Sequence, residues 1–251
     1  MNTLLNVENV IFDMDDTILV CGKYYIKCRK DFAEFNAKRT GLPERFCESI
    51  LHHIDLECTT LANGWGKDRF PRSFAAASVT LDILSGKSVD ETAAEQSFLL
   101  GESVFHAPYE LIAGAIETLT WLSDHHIKLF LYTKGDYNVQ QEKIIKHNLT
   151  RFFPTSHQYI VPHKSGHELN NIIVDHELNI DETILVGDSM RDDVMSAKAV
   201  NMRSVLVMSG HPWGYDQQHV SPTLQINSIA DLPDRIEFVP FNDQLTRVGY
   251  A

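Results

Sequence analysis

Three carboxylates and a hydroxyl close the run Val10-Ile11-Phe12-Asp13-Met14-Asp15-Asp16-Thr17, the most chemically loaded spacing in the chain. In an extended strand Asp13 and Asp15 share one face, with about 6.6 to 7 Å of rise between them. Carboxylates that close repel, and one of them stays protonated unless a cation lies between them. The spacing admits three readings. It could be an acidic strand-end loop or helix N-cap, a site for a hard cation such as magnesium or calcium, or an aspartyl nucleophile with a neighbouring acid/base held on that cation. The apolar residues before Asp13 suit a buried parallel strand whose carboxyl end opens into a crevice, where open α/β sheets bind ligands.

Two later segments repeat the pattern of an apolar run halted by polar groups. Ile127 to Tyr132 stops at Thr133-Lys134-Gly135, and Thr183 to Val186 stops at Gly187-Asp188. Parallel strands present their carboxyl ends on one edge of a sheet, so groups far apart in sequence can converge there. Lys164, at the start of a helical segment, can join them. Four suitable groups on one edge outweigh the reading of Asp13 and Asp15 as a solvated loop, and each has a physical job. Asp13 attacks a phosphorus centre, Asp15 protonates the leaving oxygen and then activates water, and the cation neutralises phosphoryl oxygens. The Thr133 hydroxyl and the Lys134 and Gly135 amides can hold the remaining oxygens. Lys164 offsets the carboxylates and keeps Asp13 anionic at neutral pH.

The elements that must position these groups fall into two patterns. Residues 23–106 read as a run of four helices, with a stop at Gly41 and Pro43, a second helix over 44–61, a third over 70–84, and a fourth opening with a capping box from Ser88 to Glu91. From Gly114 onward helix and strand alternate. Helices are expected over 115–126, 137–147, 166–178 and 192–200, and strands over 127–132, 158–161, 183–186, 203–208 and, at the edge, 223–226. Such alternation predicts an α/β fold, a Rossmann-like doubly wound parallel sheet. The expected organisation is a core of residues 1–20 and 108–235, a helical insertion over 21–107, and a tail over 236–251.

Between the second and third helices, Gly64-Trp65-Gly66-Lys67-Asp68-Arg69-Phe70-Pro71-Arg72 carries two glycines, two large aromatics and three basic residues. It reads as a solvated connection with Trp65 and Phe70 tucked into the bundle, or as a lid loop that meets the substrate's leaving group. Composition narrows the alternatives. With 251 residues, 43 % of them hydrophobic, the chain can bury a sizeable core. Its net charge of −12 disfavours nucleic acid and anionic membrane as general partners, while a small anionic substrate remains open because a metal and a lysine can reverse the local sign. No apolar run is long enough to span a bilayer, and the amino-terminal residues lack a secretory pattern, which points to the cytoplasm. The four cysteines form no CxxC pair, and His167-Glu168 and His176-Glu177 both lack the second histidine of HExxH.

Taken in order, Asp13-Met14-Asp15-Asp16-Thr17, Tyr132-Thr133-Lys134-Gly135, Lys164 and Gly187-Asp188-Ser189-Met190-Arg191-Asp192-Asp193 resemble the motifs of the haloacid dehalogenase superfamily of aspartate-nucleophile phosphohydrolases. The resemblance covers nearly the whole chain up to about residue 235. It implies a phosphoaspartyl intermediate on Asp13 with Asp15 as acid/base, and Mg²⁺ bound by the Asp13 and Asp188 carboxylates and the Asp15 main-chain carbonyl. A further acid of the last motif supports the metal waters. Asp192 and Asp193 are both candidates, and Asp193 is favoured because Asp193-Val194-Met195-Ser196-Ala197 resembles the family's continuation. The helical insertion resembles the family's α-helical cap. Dehalogenase members lack an aspartate at the place of Asp15, since a halide needs no acid to leave, so phosphate transfer is expected. The activity implied is that of a Mg²⁺-dependent phosphatase acting on a small phosphorylated metabolite. A phosphomutase, and a non-catalytic metal-binding regulatory protein, are the alternatives.

Overall fold

A computed structural model describes residues 4–61, 66–208 and 220–237. Its strands are β1 (Leu4–Leu5), β2 (Asn9–Phe12), β3 (Lys128–Lys134), β4 (Gln158–Val161), β5 (Thr183–Gly187), β6 (Arg203–Val207), β7 (Leu224–Ile226) and β8 (Ile236–Glu237). Its helices are α1 (Gly22–Thr40), α2 (Glu44–Leu61), α3 (Arg69–Leu84), α4 (Glu91–Glu102), α5 (Ala115–Asp124), α6 (Tyr137–Lys146), α7 (Gly166–Asp175) and α8 (Met195–Ala199). By contacts they group into two units. One comprises the described residues of Met1–Val20, Leu111–Thr133 and Ile144–Ala251; the other holds Cys21–Glu110 and Lys134–Lys143.

In the first unit six strands form a sheet in the order β4-β3-β2-β5-β6-β7. β2 lies between β3 and β5, parallel to both, with Phe12 opposite Leu131 on one side and Val186 on the other. β6 and β7 continue the parallel arrangement. The run Asn9–Phe12 is buried throughout, as a strand covered on both faces must be. Side chains alternate along each strand. Ile11, Phe130, Tyr132 and Leu185 pack with Leu169 and Ile172 of α7 and Ala197 of α8, whereas Phe12 turns the other way, to an edge-on contact with Phe153 at 6.3 Å. This is the Rossmann-like α/β sheet that the alternating pattern predicts. The expected tail begins differently: Ile236 and Glu237 pair in parallel with Leu4 and Leu5 in a separate two-stranded ribbon. Two-residue strands carry too little pattern to be read from sequence. Residues 238–251 lie outside the described part.

The second unit contains the four helices expected before residue 106. Their apolar faces meet in a cluster that includes Cys28, Phe32, Cys47, Leu51, Phe70, Phe74 and Leu81. Phe74 receives Phe32 and Phe70 edge-on at 5.3 and 4.9 Å. The stop after α1 is Gly41, whose φ of 80° places it in the left-handed region and whose N–H donates to the Ala37 carbonyl at 2.8 Å. The expected capping box at the fourth helix does not form. Asp90, not Ser88, caps α4 by accepting the Ala93 N–H, while the Asp90 N–H is itself fixed by Asp82 at 3.0 Å. A partner on α3, outside the residues of the expected box, thus fixes the residue that caps α4. Arg39 pairs with Asp82 and also donates to the Ser78 carbonyl and hydroxyl, tying α1 to α3.

Candidate active site

The chain leaves β2 through a tight turn. The Met14 carbonyl accepts the amides of Ile18 and Leu19 at 2.8 and 2.9 Å, the Asp16 N–H returns to the Leu19 carbonyl at 2.7 Å, and Asp16 sits at φ 59°. Aspartate tolerates the left-handed region better than most residues, so Asp16 suits the bend that sends the chain away from the sheet. Asp13 stays at the strand end, its N–H bonded to the Val186 carbonyl at 2.9 Å. The Thr17 hydroxyl donates to Asp13 Oδ2 at 3.5 Å.

Lys164 occupies a fork of carboxylates. Its Nζ donates to Asp13 Oδ1 at 2.5 Å and to Asp193 Oδ1 at 2.6 Å, and the side chain is 3 % exposed. Ligand-capable oxygens of Asp13, Asp188 and Asp193 lie within 4.8 Å of one another. Asp193 is held on its other oxygen by the Ser189 N–H at 3.0 Å. It reaches back because residues Met190–Val194 form a π-type turn, in which the Ser189 carbonyl accepts both the Asp193 and Val194 amides. The continuous helix expected over 192–200 is therefore shorter, and α8 begins at Met195. Gly187 is required for this packing: a Cβ there would lie 2.2 Å from Asp193 Oδ2.

Burial pushes the Asp13 carboxyl up to about 7, with Lys164 opposing and Asp193 adding to the rise. Asp188 is pushed well above the usual carboxylate range by burial and then by Asp13 and Asp193. Asp193 is raised too, again by burial first, against the pull of Lys164. For Lys164, burial disfavours the ammonium, but the two carboxylates outweigh it and the net shift is upward. Three carboxylates facing one ammonium leave an excess of two negative charges when all are ionised. Hard oxygen donors with that deficit fit a divalent cation such as Mg²⁺, and in this arrangement Asp13 and Asp188 would hold it.

The sequence-derived site residues therefore divide. Asp13, Lys164, Asp188 and Asp193 come together, and Asp192 does not join them: its carboxylate pairs with the adjacent Arg191 at 3.1 Å. Asp15 lies half-buried in the turn, two residues from Asp13. Thr133 is fully buried in β3, the strand beside β2. Lys134 and Gly135 group with the helical unit. There the Lys134 carbonyl accepts Gln140 Nε2 at 3.1 Å, and Asp136 caps α6 while accepting the Lys67 N–H at 3.1 Å. In the loop read as a possible lid, Phe70 belongs to the bundle core. Arg69 is buried against Asp55 at 2.5 Å, so it serves the helical unit as an internal ion pair and not as an exposed lid cation. Ala62–Trp65 lie outside the described residues. Thr17 and Ser189 stand within the quoted motifs but were given no role by the sequence; the structure puts the Thr17 hydroxyl on Asp13 and the Ser189 amide on Asp193.

A sheet with acids gathered just beyond the carboxyl ends of its central strands is the arrangement in which an open α/β fold binds a ligand at its strand ends. The family model described as haloacid dehalogenase-like hydrolase matches residues 80–207, and the chain belongs to that family. Phosphoglycolate phosphatase 1 of Pseudomonas aeruginosa is 27 % identical over 134 residues, which cover 51 % of this chain and 47 % of that protein. The chain thus matches about half the length of this curated relative. Among solved structures, a haloacid dehalogenase-like family hydrolase from Xanthomonas campestris matches with a TM-score of 0.73 and 20 % identity, over 91 % of this chain and 90 % of that one. A 2-haloacid dehalogenase from Pseudomonas syringae matches with a TM-score of 0.56 and 18 % identity, over 91 % and 97 % of the two chains. Both likenesses concern the fold, and the choice of reaction rests on the residues.

Proposed function

We propose that the protein is a Mg²⁺-dependent phosphatase that hydrolyses a small phosphomonoester through a phosphoaspartyl intermediate on Asp13. The observation that carries the reading is the fork in which one buried ammonium bonds both Asp13 and Asp193, with Asp188 in the same cluster. Burial alone would keep Asp13 protonated near neutrality. Lys164 opposes that, and a divalent ion on Asp13 and Asp188 would supply the rest of the charge that an anionic nucleophile and a phosphoryl group require.

In this reading an Asp13 oxygen forms a bond to phosphorus as the ester oxygen departs. Asp15 gives that oxygen a proton, so the first product leaves as a neutral alcohol. The Asp15 carboxylate then takes a proton from water. The new oxygen–phosphorus bond forms as the aspartyl bond breaks, and inorganic phosphate and ionised Asp13 are regenerated. Thr133, at the end of the neighbouring strand, is the proposed hydroxyl donor to phosphoryl oxygens. An aspartate at position 15 favours ester cleavage over carbon–halogen cleavage, because only the former needs an acid for its leaving group. The name of the Pseudomonas aeruginosa relative puts phosphoglycolate first in a substrate panel.

With Mg²⁺ and an aryl phosphate, the wild type is expected to release inorganic phosphate, and EDTA to suppress the release. Asp13→Asn is expected to abolish turnover with the fold intact by circular dichroism. Turnover retained by that variant removes Asp13 from the nucleophile's role. Formation of an isomerised sugar phosphate in place of inorganic phosphate would make the acceptor a sugar hydroxyl instead of water.

A further inference from the structure

We infer that Tyr132 is a positioning residue for Lys164, an inference that rests on the phosphatase reading for its kinetic consequences. Tyr132 immediately precedes Thr133 on β3 and points to the opposite face, with its ring fully buried among Leu169, Ile172 and Ala197. A phenol enclosed by aliphatic side chains must find a partner for its hydroxyl. Here the partner is the backbone of a single residue: the Tyr132 oxygen accepts the Ser165 N–H at 2.9 Å and its O–H donates to the Ser165 carbonyl at 3.1 Å. Ser165 is also the N-cap of α7, its hydroxyl accepting the Glu168 amide at 3.2 Å. The residue beside Lys164 is thereby held from the sheet on one side and from the helix on the other.

Lys164 itself lies in an irregular segment between β4 and α7, which no ladder of backbone hydrogen bonds fixes. A lysine has four rotatable side-chain bonds, and holding its Nζ in a two-carboxylate fork demands a fixed backbone origin. Tyr132 supplies that origin through Ser165, and its ring gives the ammonium a second contact, with Nζ 5.4 Å from the ring centroid. Both bonds come from one phenolic oxygen, so a single-atom change tests them.

Tyr132→Phe removes that oxygen and keeps the ring. Two readouts separate positioning from simple core packing. The first is the ammonium signal of Lys164 in isotope-labelled protein, identified by its disappearance in Lys164→Ala. It is expected to be sharp in the wild type, as befits a buried and doubly bonded ammonium, and to broaden or vanish in Tyr132→Phe. The second is steady-state kinetics on an aryl phosphate. There kcat is expected to fall about tenfold or more with KM unchanged, since loosening the ammonium that holds the Asp13 nucleophile disturbs the reacting geometry, and small misplacements carry costs of that order. The effect is expected to disappear when Tyr132→Phe is placed in the Lys164→Ala background. An unchanged ammonium signal overturns the inference, as does an equal loss of kcat in both backgrounds. If the wild type cleaves no phosphate ester, the phosphatase reading fails while the ammonium signal still decides whether Tyr132 places Lys164. If the phenylalanine variant does not fold, 3-fluorotyrosine at position 132 keeps the ring and hydroxyl but weakens the oxygen as an acceptor. The ammonium signal is then expected to broaden, and an unchanged one overturns the inference.

Discussion

Without a divalent ion, the buried acids should make the folded protein lose stability as pH rises from the carboxylate range toward neutrality. Asp13 has an ordinary value of 3.8 and is held at about 7 in the fold. Between those limits the folded chain keeps a proton that the unfolded chain has released, so the folded state binds more protons and stability falls with rising pH. The loss begins near pH 4 and levels off above about pH 7. A difference of about three units is worth ~4 kcal/mol, and at 2–4 °C per kcal/mol for chains of this size it corresponds to about 8–16 °C in melting temperature. Asp188 and Asp193 are displaced in the same direction, so the site acts as a unit on this scale. Lys164 stays charged across the window in both states and contributes no slope there. Mg²⁺ should reverse the loss, raising the melting temperature strongly near pH 8 and little near pH 5, where protons compete for the same oxygens. The assay is thermal unfolding in EDTA and in Mg²⁺ across this range, for wild type and Asp13→Asn. Subtracting the variant's profile removes the titration of histidines and other distant groups. A wild-type profile in EDTA no steeper than that of Asp13→Asn, or a magnesium effect independent of pH, refutes the reasoning.

Two further outcomes follow from packing. Gly187→Ala would put a methyl group 2.2 Å from Asp193 Oδ2. It is expected to displace Asp193 from both Lys164 and the Ser189 amide and to lower kcat by about a hundredfold, the order expected for a misplacement near 1 Å, as read by steady-state phosphate release. In the helical unit, Arg39→Ala strips Asp82 of its cation while leaving that carboxylate buried at 1 % exposure. The cost expected on breaking a buried pair is about 3–5 kcal/mol, checked by the shift in denaturation midpoint at constant m-value.

Much of the site was legible because it depends on strand ends. An apolar run followed by acids at Asp13, and another followed by Gly187-Asp188, locates carboxylates to within a residue once the sheet is known to be parallel. The registers Phe12 with Leu131 and Phe12 with Val186 show why: strands ending at the same level bring the following residues side by side. The features that stayed hidden depend on distant partners. Asp90 takes the α4 cap from Ser88 because Asp82 fixes its amide. The π-type turn that swings Asp193 toward Lys164 has no periodic signature in five residues. Arg69 looked like a loop cation because nothing in its neighbourhood reveals Asp55, which is on another helix. Lys134 does close β3, as the strand-end reading has it, but by contacts it and Gly135 group with the helical unit, where Gln140 and Asp136 engage the surrounding loop.

The most direct test of the central claim is to quench the protein in acid during turnover of a phosphate ester in Mg²⁺ and locate the phosphoryl group by peptide mass spectrometry. An acid-stable, base-labile phosphoryl group is expected on the peptide bearing Asp13 and is expected to be absent from Asp13→Asn. Turnover that leaves Asp13 unmodified at every quench time, with the phosphoryl group trapped on another side chain, would contradict it.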